Sequence, residues 1–160
     1  WLGIDRALAA WGALKRAQNI ALDSSGLLVA DAGTVLSITR ITTDGAFAGG
    51  QLVAGFQLQL KAMAEGAQAL SHPGHGEIIG PDLFPIHTDE AMRRGGIQAM
   101  LGALIEAQRS SNMPLWLCGG DAPLLFKELK RKGLNVAHFP NLALEGMVDV
   151  QSRIMQAQDQ

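Results

Sequence analysis

The segment Gly3-Ile4-Asp5-Arg6 sets a carboxylate directly beside a guanidinium. An aspartate can accept a proton from a substrate hydroxyl, and an arginine can grip an anionic group through paired hydrogen bonds. Asp5 could equally cap the helix that follows it. A second acid, Asp31, ends the apolar run Leu27-Leu28-Val29-Ala30 and is followed by Ala32-Gly33-Thr34. A carboxylate at the end of so apolar a strand costs several kcal/mol if it is buried without a partner. It is therefore expected to meet a cation or the amides of a turn. Gly33 lets an anion approach backbone amides, and Thr34 adds a hydroxyl donor.

Three further groups carry weaker signals. Gly49-Gly50, followed by Gly55, could bring amides and a helix N-terminus near phosphate, or mark only a strand end and a tight turn. Gly119-Gly120-Asp121 after a short apolar strand could approach a nucleotide base or ribose, or simply connect strand to helix with Asp121 as N-cap. Thr88 offers a hydroxyl to a ligand and also reads as a helix N-cap. His72, His75, His87 and Glu77 lack the i, i+4 spacing of zinc enzymes and read as solvated loop residues. Cys118, at the end of an apolar strand, reads as a core thiol.

These residues need a scaffold, and the composition allows one. The chain has 160 residues, 48% hydrophobic and 18% charged, with a net charge of -2. That suffices for one domain with a real core. Without a basic block, nucleic acid is not a favoured partner. No apolar run approaches the ~18 residues of a membrane span, and no signal peptide is visible. A single cysteine excludes an internal disulfide and fits a reducing cytoplasm.

Periodicity supplies the elements. A helix is expected from Asp5 to about Asn19, with Ala7, Leu8 and Trp11 on one face. Asp23-Ser24-Ser25-Gly26 reads as a turn. Strands follow at about 27–31, 35–42 and 46–52, the last two joined at Thr43-Asp44-Gly45. A helix from Phe56 to Leu70 precedes a long loop, 71–87, punctuated by Pro73, Pro81 and Pro85. Thr88 to Arg109 is helical; Gly95-Gly96 inside it costs about 1 kcal/mol per glycine and suggests a close neighbour. A strand at 114–118, a helix at 123–132, a strand at 135–139 and a helix from Glu145 to about Gln158 complete the order. In the last helix Met147, Val150, Ile154 and Met155 are expected to point inward. Three meander strands followed by alternating helices and strands give an α/β fold of ribonuclease-H-like type. Its mixed sheet contains an antiparallel three-strand meander and has helices on both faces.

Taken in order, Gly3-Ile4-Asp5-Arg6, Asp31-Ala32-Gly33-Thr34, Gly49-Gly50-Gln51-Leu52-Val53-Ala54-Gly55, Thr88 before a helix and Gly119-Gly120-Asp121 resemble the type III pantothenate kinases. These belong to the actin-like kinase superfamily, whose phosphate-binding hairpin is strand, acid, Gly-Thr, strand. The resemblance covers nearly the whole chain. It implies transfer of the ATP γ-phosphate to pantothenate, the first step of coenzyme A synthesis. It further implies Asp5 as general base, with Gly3, Ile4, Arg6 and Thr88 lining the pantothenate site. Asp31 would hold a monovalent cation, potassium or ammonium. Gly33, Thr34, Gly49, Gly50, Gly119 and Gly120 would line the ATP site, with magnesium accompanying ATP. A cytoplasmic homodimer, with the pantothenate site near the subunit interface, is implied as well.

The resemblance also implies a two-lobe enzyme, of which residues 1–160 are the C-terminal lobe. The chain starts at Trp1 rather than Met, so an N-terminal lobe of roughly 100 residues is expected outside it, and this lobe alone is expected to be inactive. Three positions depart from the family pattern. Ala54 stands where proline is usual, Cys118 where threonine is common, and Thr39 where an acid is expected. Another actin-like phosphotransferase, or a non-catalytic regulatory protein on the same fold, is the competing expectation.

Overall fold

A computed structural model describes residues 2–18, 26–74 and 82–158. Three strands, β1 (Leu27–Ala32), β2 (Val35–Ile41) and β3 (Phe47–Ala54), form the expected antiparallel meander. Two shorter strands, β4 (Leu115–Cys118) and β5 (Val136–His138), add parallel to β1 on its other side, giving the order β3-β2-β1-β4-β5. β1 and β4 lie inside the sheet and are covered on both faces. Their near-continuous apolar runs follow from that position.

Five helices cover the two faces: α1 (Ile4–Gln18), α2 (Phe56–Gly66), α3 (Thr88–Ser111), α4 (Ala122–Arg131) and α5 (Leu142–Gln158). The larger core lies under α2, α3 and α4, where Leu60, Ile97, Leu101, Leu104 and Leu125 are completely buried. Each such side chain contributes about 1.5–3 kcal/mol. The smaller core lies under α1 and α5, on the face carrying Leu27, Val29, Ile41, Trp116 and Cys118.

Packing departs from the periodicity in both outer helices. α1 buries the small residues Ala9, Gly12, Ala13 and Ala17, while Leu8 and Trp11 stay half-buried. The reason is close helix contact. A Cβ at Gly12 would strike the Leu142 carbonyl, and one at Gly146 would strike the Leu8 carbonyl. Arg16 and Glu145 form an ion pair at 2.5 Å, and Trp11 Nε1 donates to Asp149 Oδ2 at 2.8 Å. The face of α5 turned to α1 is thus Leu142, Glu145, Gly146 and Asp149. Met147, Val150, Ile154 and Met155, expected inward, are exposed instead.

Other boundaries also shift. α2 stops at Gly66 rather than Leu70. Thr88 is the first residue of α3, and His87 occupies the N-cap without a side-chain bond, so the capping role read for Thr88 does not hold. The glycine pair in α3 does have a neighbour, at one of its two positions. A Cβ at Gly96 would lie 3.3 Å from the Phe56 ring, whereas Gly95 faces open space. The expected turn at Asp23-Ser24-Ser25, together with Asn19, His75, Glu77 and Pro81, lies outside the described residues.

Candidate active site

α1 presents its first turn over the meander. Asp5 is exposed there, and the Gly3 carbonyl accepts the Ala7 N–H at 3.1 Å, so Gly3-Ile4 leads directly into the helix. An acid in a helix's first turn is favoured by the dipole. The next residue, Arg6, reaches down to the sheet: its Nε donates to Thr39 Oγ1 at 3.3 Å, and its guanidinium carbon lies 5.5 Å from the centre of the Phe47 ring.

Asp31 ends β1 on this same face, opposite Ser37 across the antiparallel ladder and Cys118 across the parallel one. Burial, and then the charge of Asp5, pushes the Asp31 carboxyl above its ordinary range. Burial, and then the charge of Asp31, pushes the Cys118 thiol up to about 12. Cys118 is therefore a protonated core thiol, as its apolar strand suggests. Gly119 is required here. Its φ is +91°, and a Cβ would lie 2.5 Å from both Asp31 Oδ1 and the Ala32 carbonyl oxygen. Asp31 at this half-buried strand end, with exposed Asp5 at the start of α1, offers the oxygen donors that a hard cation takes.

The tip of the β1–β2 hairpin holds Gly33 and exposed Thr34. The steric demand for glycine is not at Gly33, where a Cβ would meet open space, but at Gly55, where it would collide with the Gly33 carbonyl. Gly55 N–H donates to the Thr34 carbonyl at 3.0 Å, fixing the start of α2 beside the hairpin. From the other side, Asp121 N–H donates to the Ala32 carbonyl at 2.9 Å. Burial pushes the Asp121 carboxyl up, and a bond accepted from the Phe56 N–H opposes that rise. Asp121 stands at the N-cap of α4 as expected, but makes no side-chain cap there. Its carboxylate serves the N-terminus of α2 instead.

The structure thus gathers Asp5, Asp31, Gly119 and the hairpin tip around one end of β1, with Arg6 on the same sheet face over Thr39, which pairs with Val29. It does not bring every expected residue there. Thr88 begins α3, on the opposite sheet face from α1, and is exposed. Gly49 and Gly50 lie within edge strand β3, Gly50 paired with Thr39, rather than at a loop or helix start. Gly120 is exposed in the turn before α4. Among the described residues no cluster of three or more His, Cys, Asp or Glu side chains could hold a metal ion. Ser37 carries no sequence motif and Thr39 stands out only as a departure from the family pattern, yet both are buried on this face. Their signal is the alternation of β2, which sets two hydroxyls between Leu36, Ile38 and Ile41.

Residues 1–109 match the family model for type III pantothenate kinase. A type III pantothenate kinase of Synechococcus sp. (strain JA-3-3Ab) is 32% identical over 153 residues, 91% of this chain and 60% of its own length. One from Chromobacterium violaceum is 35% identical over 127 residues, 75% of this chain and 49% of that protein. The chain therefore spans about half to three-fifths of these relatives. Among solved structures, a conserved Baf family protein of Campylobacter jejuni superposes with a TM-score of 0.65 at 21% identity, over 97% of this chain and 66% of that one. The archaeal actin homolog Ta0583 gives 0.59 at 13% identity, over 94% and 54%. At such identities these two establish the actin-like fold.

Proposed function

Since the chain belongs to the type III pantothenate kinase family, we propose that the full-length protein transfers the γ-phosphate of ATP to the primary hydroxyl of pantothenate, yielding 4'-phosphopantothenate and ADP for coenzyme A synthesis. The observation that carries this reading is that Asp5, Arg6 and Asp31 share one sheet face, with Asp31 at the strand end that leads into the Gly33-Thr34 hairpin.

Phosphoryl transfer depends on alignment and charge neutralisation more than on covalent chemistry. Asp5, exposed at the helix start, orients the pantothenate hydroxyl and takes its proton as that oxygen bonds to the γ-phosphorus and the bond to the ADP oxygen breaks. Arg6, held against Thr39, pairs with the pantothenate carboxylate. Gly3 and Ile4 line the same pocket, and Thr88 completes it from α3 of a second copy or after rearrangement. Thr34 and the amides of Gly33 hold ATP phosphate, while Gly119 and Gly120 admit the nucleoside to the β4–α4 turn. Gly49 and Gly50 shape the β3 wall of the site. Asp31, with Asp5 beside it, would hold the potassium or ammonium ion, whose charge offsets that of the phosphates; magnesium would accompany ATP. A cytoplasmic homodimer is the expected working form.

The test is ATP-dependent phosphorylation of pantothenate by the full-length protein, with and without potassium. Potassium-dependent 4'-phosphopantothenate formation supports the whole reading. A folded protein that binds ATP but makes no product from pantothenate overturns the substrate assignment and points to another acceptor. Absence of ATP binding overturns the kinase reading itself.

A further inference from the structure

Arg6 sits in a cradle that its own helix does not provide. β2 contributes the Thr39 hydroxyl, which accepts from Arg6 Nε at 3.3 Å; β3 contributes the Phe47 ring, 5.5 Å from the guanidinium carbon. Paired with Thr39 is Gly50, where a Cβ would lie 2.7 Å from Arg6 Nη2 and would also strike the Ile38 carbonyl. Thr39 is only 2% exposed, so its hydroxyl is fixed by packing. Among the described residues no carboxylate lies within ion-pair distance of Arg6. The guanidinium is held by a neutral acceptor and an aromatic face, with room left by an absent side chain, and no described carboxylate pairs with it.

We propose that Thr39 and Gly50 are positioning residues for Arg6, together fixing the guanidinium so that its full charge and its outer N–H groups face the carboxylate of the acceptor substrate. The departure at Thr39, where an acid was expected, then has a consequence. A hydroxyl can orient the guanidinium without competing for its charge, as a carboxylate would. Gly50 gains a reason that phosphate binding does not give it. It lies in a strand, and it leaves room for a side chain arriving from α1.

The inference rests on the pantothenate reading for its substrate but not for its geometry, so the test has two arms. In the full-length protein, Thr39→Val removes the hydroxyl at nearly constant volume, and Thr39→Ser keeps it. The expected result is an apparent KM for pantothenate raised roughly 5- to 30-fold by Thr39→Val, the range one or two kcal/mol spans. kcat should be little changed, and Thr39→Ser should recover most of the loss. Pantothenyl alcohol, which lacks the carboxylate, should show no such difference between wild type and Thr39→Val. An unchanged KM, or an equal loss with the alcohol, overturns the role in substrate recognition. In the second arm, side-chain 15N spectra follow the Arg6 Nε–H, assigned by its loss in Arg6→Lys. Thr39→Val should speed its solvent exchange, and Thr39→Ser should restore protection. Unaltered exchange overturns the positioning itself, whatever the acceptor. A wild-type protein inactive on pantothenate but with Thr39-dependent protection overturns the substrate reading alone. Gly50→Ala, checked for folding by circular dichroism, should mimic Thr39→Val in both arms; a folded Gly50→Ala with wild-type KM and exchange overturns its share.

Discussion

Asp31 lies close enough to Asp5 for the two carboxylates to repel, although one ends a strand and the other begins a helix. Burial, followed by this repulsion, holds the Asp31 carboxyl above its ordinary range. The ionised form is thus the costly one in the folded state. The penalty is absent below the unfolded value, near 3.8, grows as pH rises through the folded value, and is complete at neutral pH. Asp31→Asn should therefore stabilise the protein at pH 7, by about 1 kcal/mol or less once solvent screening at a half-buried site is counted. Near pH 3 it should have little effect. Urea unfolding at both pH values measures this; equal gains at both would exclude titration of Asp31 as the cause.

If Asp31 holds potassium, adding the ion should raise the melting temperature of the wild-type protein, because a ligand that binds only the folded state stabilises it by mass action. Asp31→Asn should lose that response while remaining folded. Thermal melts in potassium chloride against tetramethylammonium chloride separate binding from ionic strength. A variant that responds as the wild type does would remove Asp31 from the cation site.

Much of this arrangement was legible in sequence because strand chemistry is local. Leu27 to Asp31 reads as a buried strand ending in an acid, and Thr43-Asp44-Gly45 marks the hairpin between β2 and β3. Helix faces were harder to read. In α5, Met147, Val150, Ile154 and Met155 suggested an inward stripe, but Gly146 allows a closer approach to Gly12 than any large apolar side chain could make. Periodicity scores side-chain hydrophobicity and does not see close backbone contact. The same limit hides what Thr39 and Gly50 do for Arg6. Their relation to Arg6 crosses from a strand pair to a helix more than thirty residues away in sequence, and no local pattern encodes it.

The contact between α1 and α5 depends on two missing side chains. Gly146→Ala would place a methyl group into the Leu8 carbonyl, and Gly12→Ala would do the same against Leu142. Neither obstacle is a flexible side-chain tip, so the helices must move apart. Each substitution should destabilise by about 1–3 kcal/mol, as overpacking generally does. The Arg16–Glu145 ion pair at 2.5 Å would also be strained by that movement. Chemical denaturation of the single and double variants checks this. The two losses should fall short of additive, since one separation relieves both clashes.

Asp121 is placed to cap a helix it does not belong to. Its carboxylate accepts the Phe56 N–H at the start of α2, and Gly55 at the α2 N-cap has no side chain to do so. Asp121→Ala should cost about 0.5–2 kcal/mol, the usual range for a lost N-cap. Asp121→Asn, which keeps an acceptor oxygen, should recover most of it. Because α2 begins beside the Gly33-Thr34 hairpin, Asp121→Ala should also raise the apparent KM for ATP. Equal stability of the two variants would remove Asp121 from the capping role.

Asp5 supplies the sharpest test of mechanism because its fold and chemistry can be separated. It is exposed in the first turn of α1, and among the described residues no hydrogen bond ties its side chain to another element. Asp5→Asn keeps the volume and a polar first turn, so its melting temperature should stay within a few degrees of wild type, as for most surface changes. Loss of a general base typically lowers the rate by about 10²- to 10⁴-fold, equivalent to roughly 3–5 kcal/mol at 1.36 kcal/mol per decade. That loss should appear in kcat, with the KM for pantothenate changed far less, since Arg6 and its cradle remain. A folded Asp5→Asn protein retaining wild-type kcat would assign the proton to another group. A rise in KM alone would make Asp5 a binding residue, and the proton would then have to go to another group.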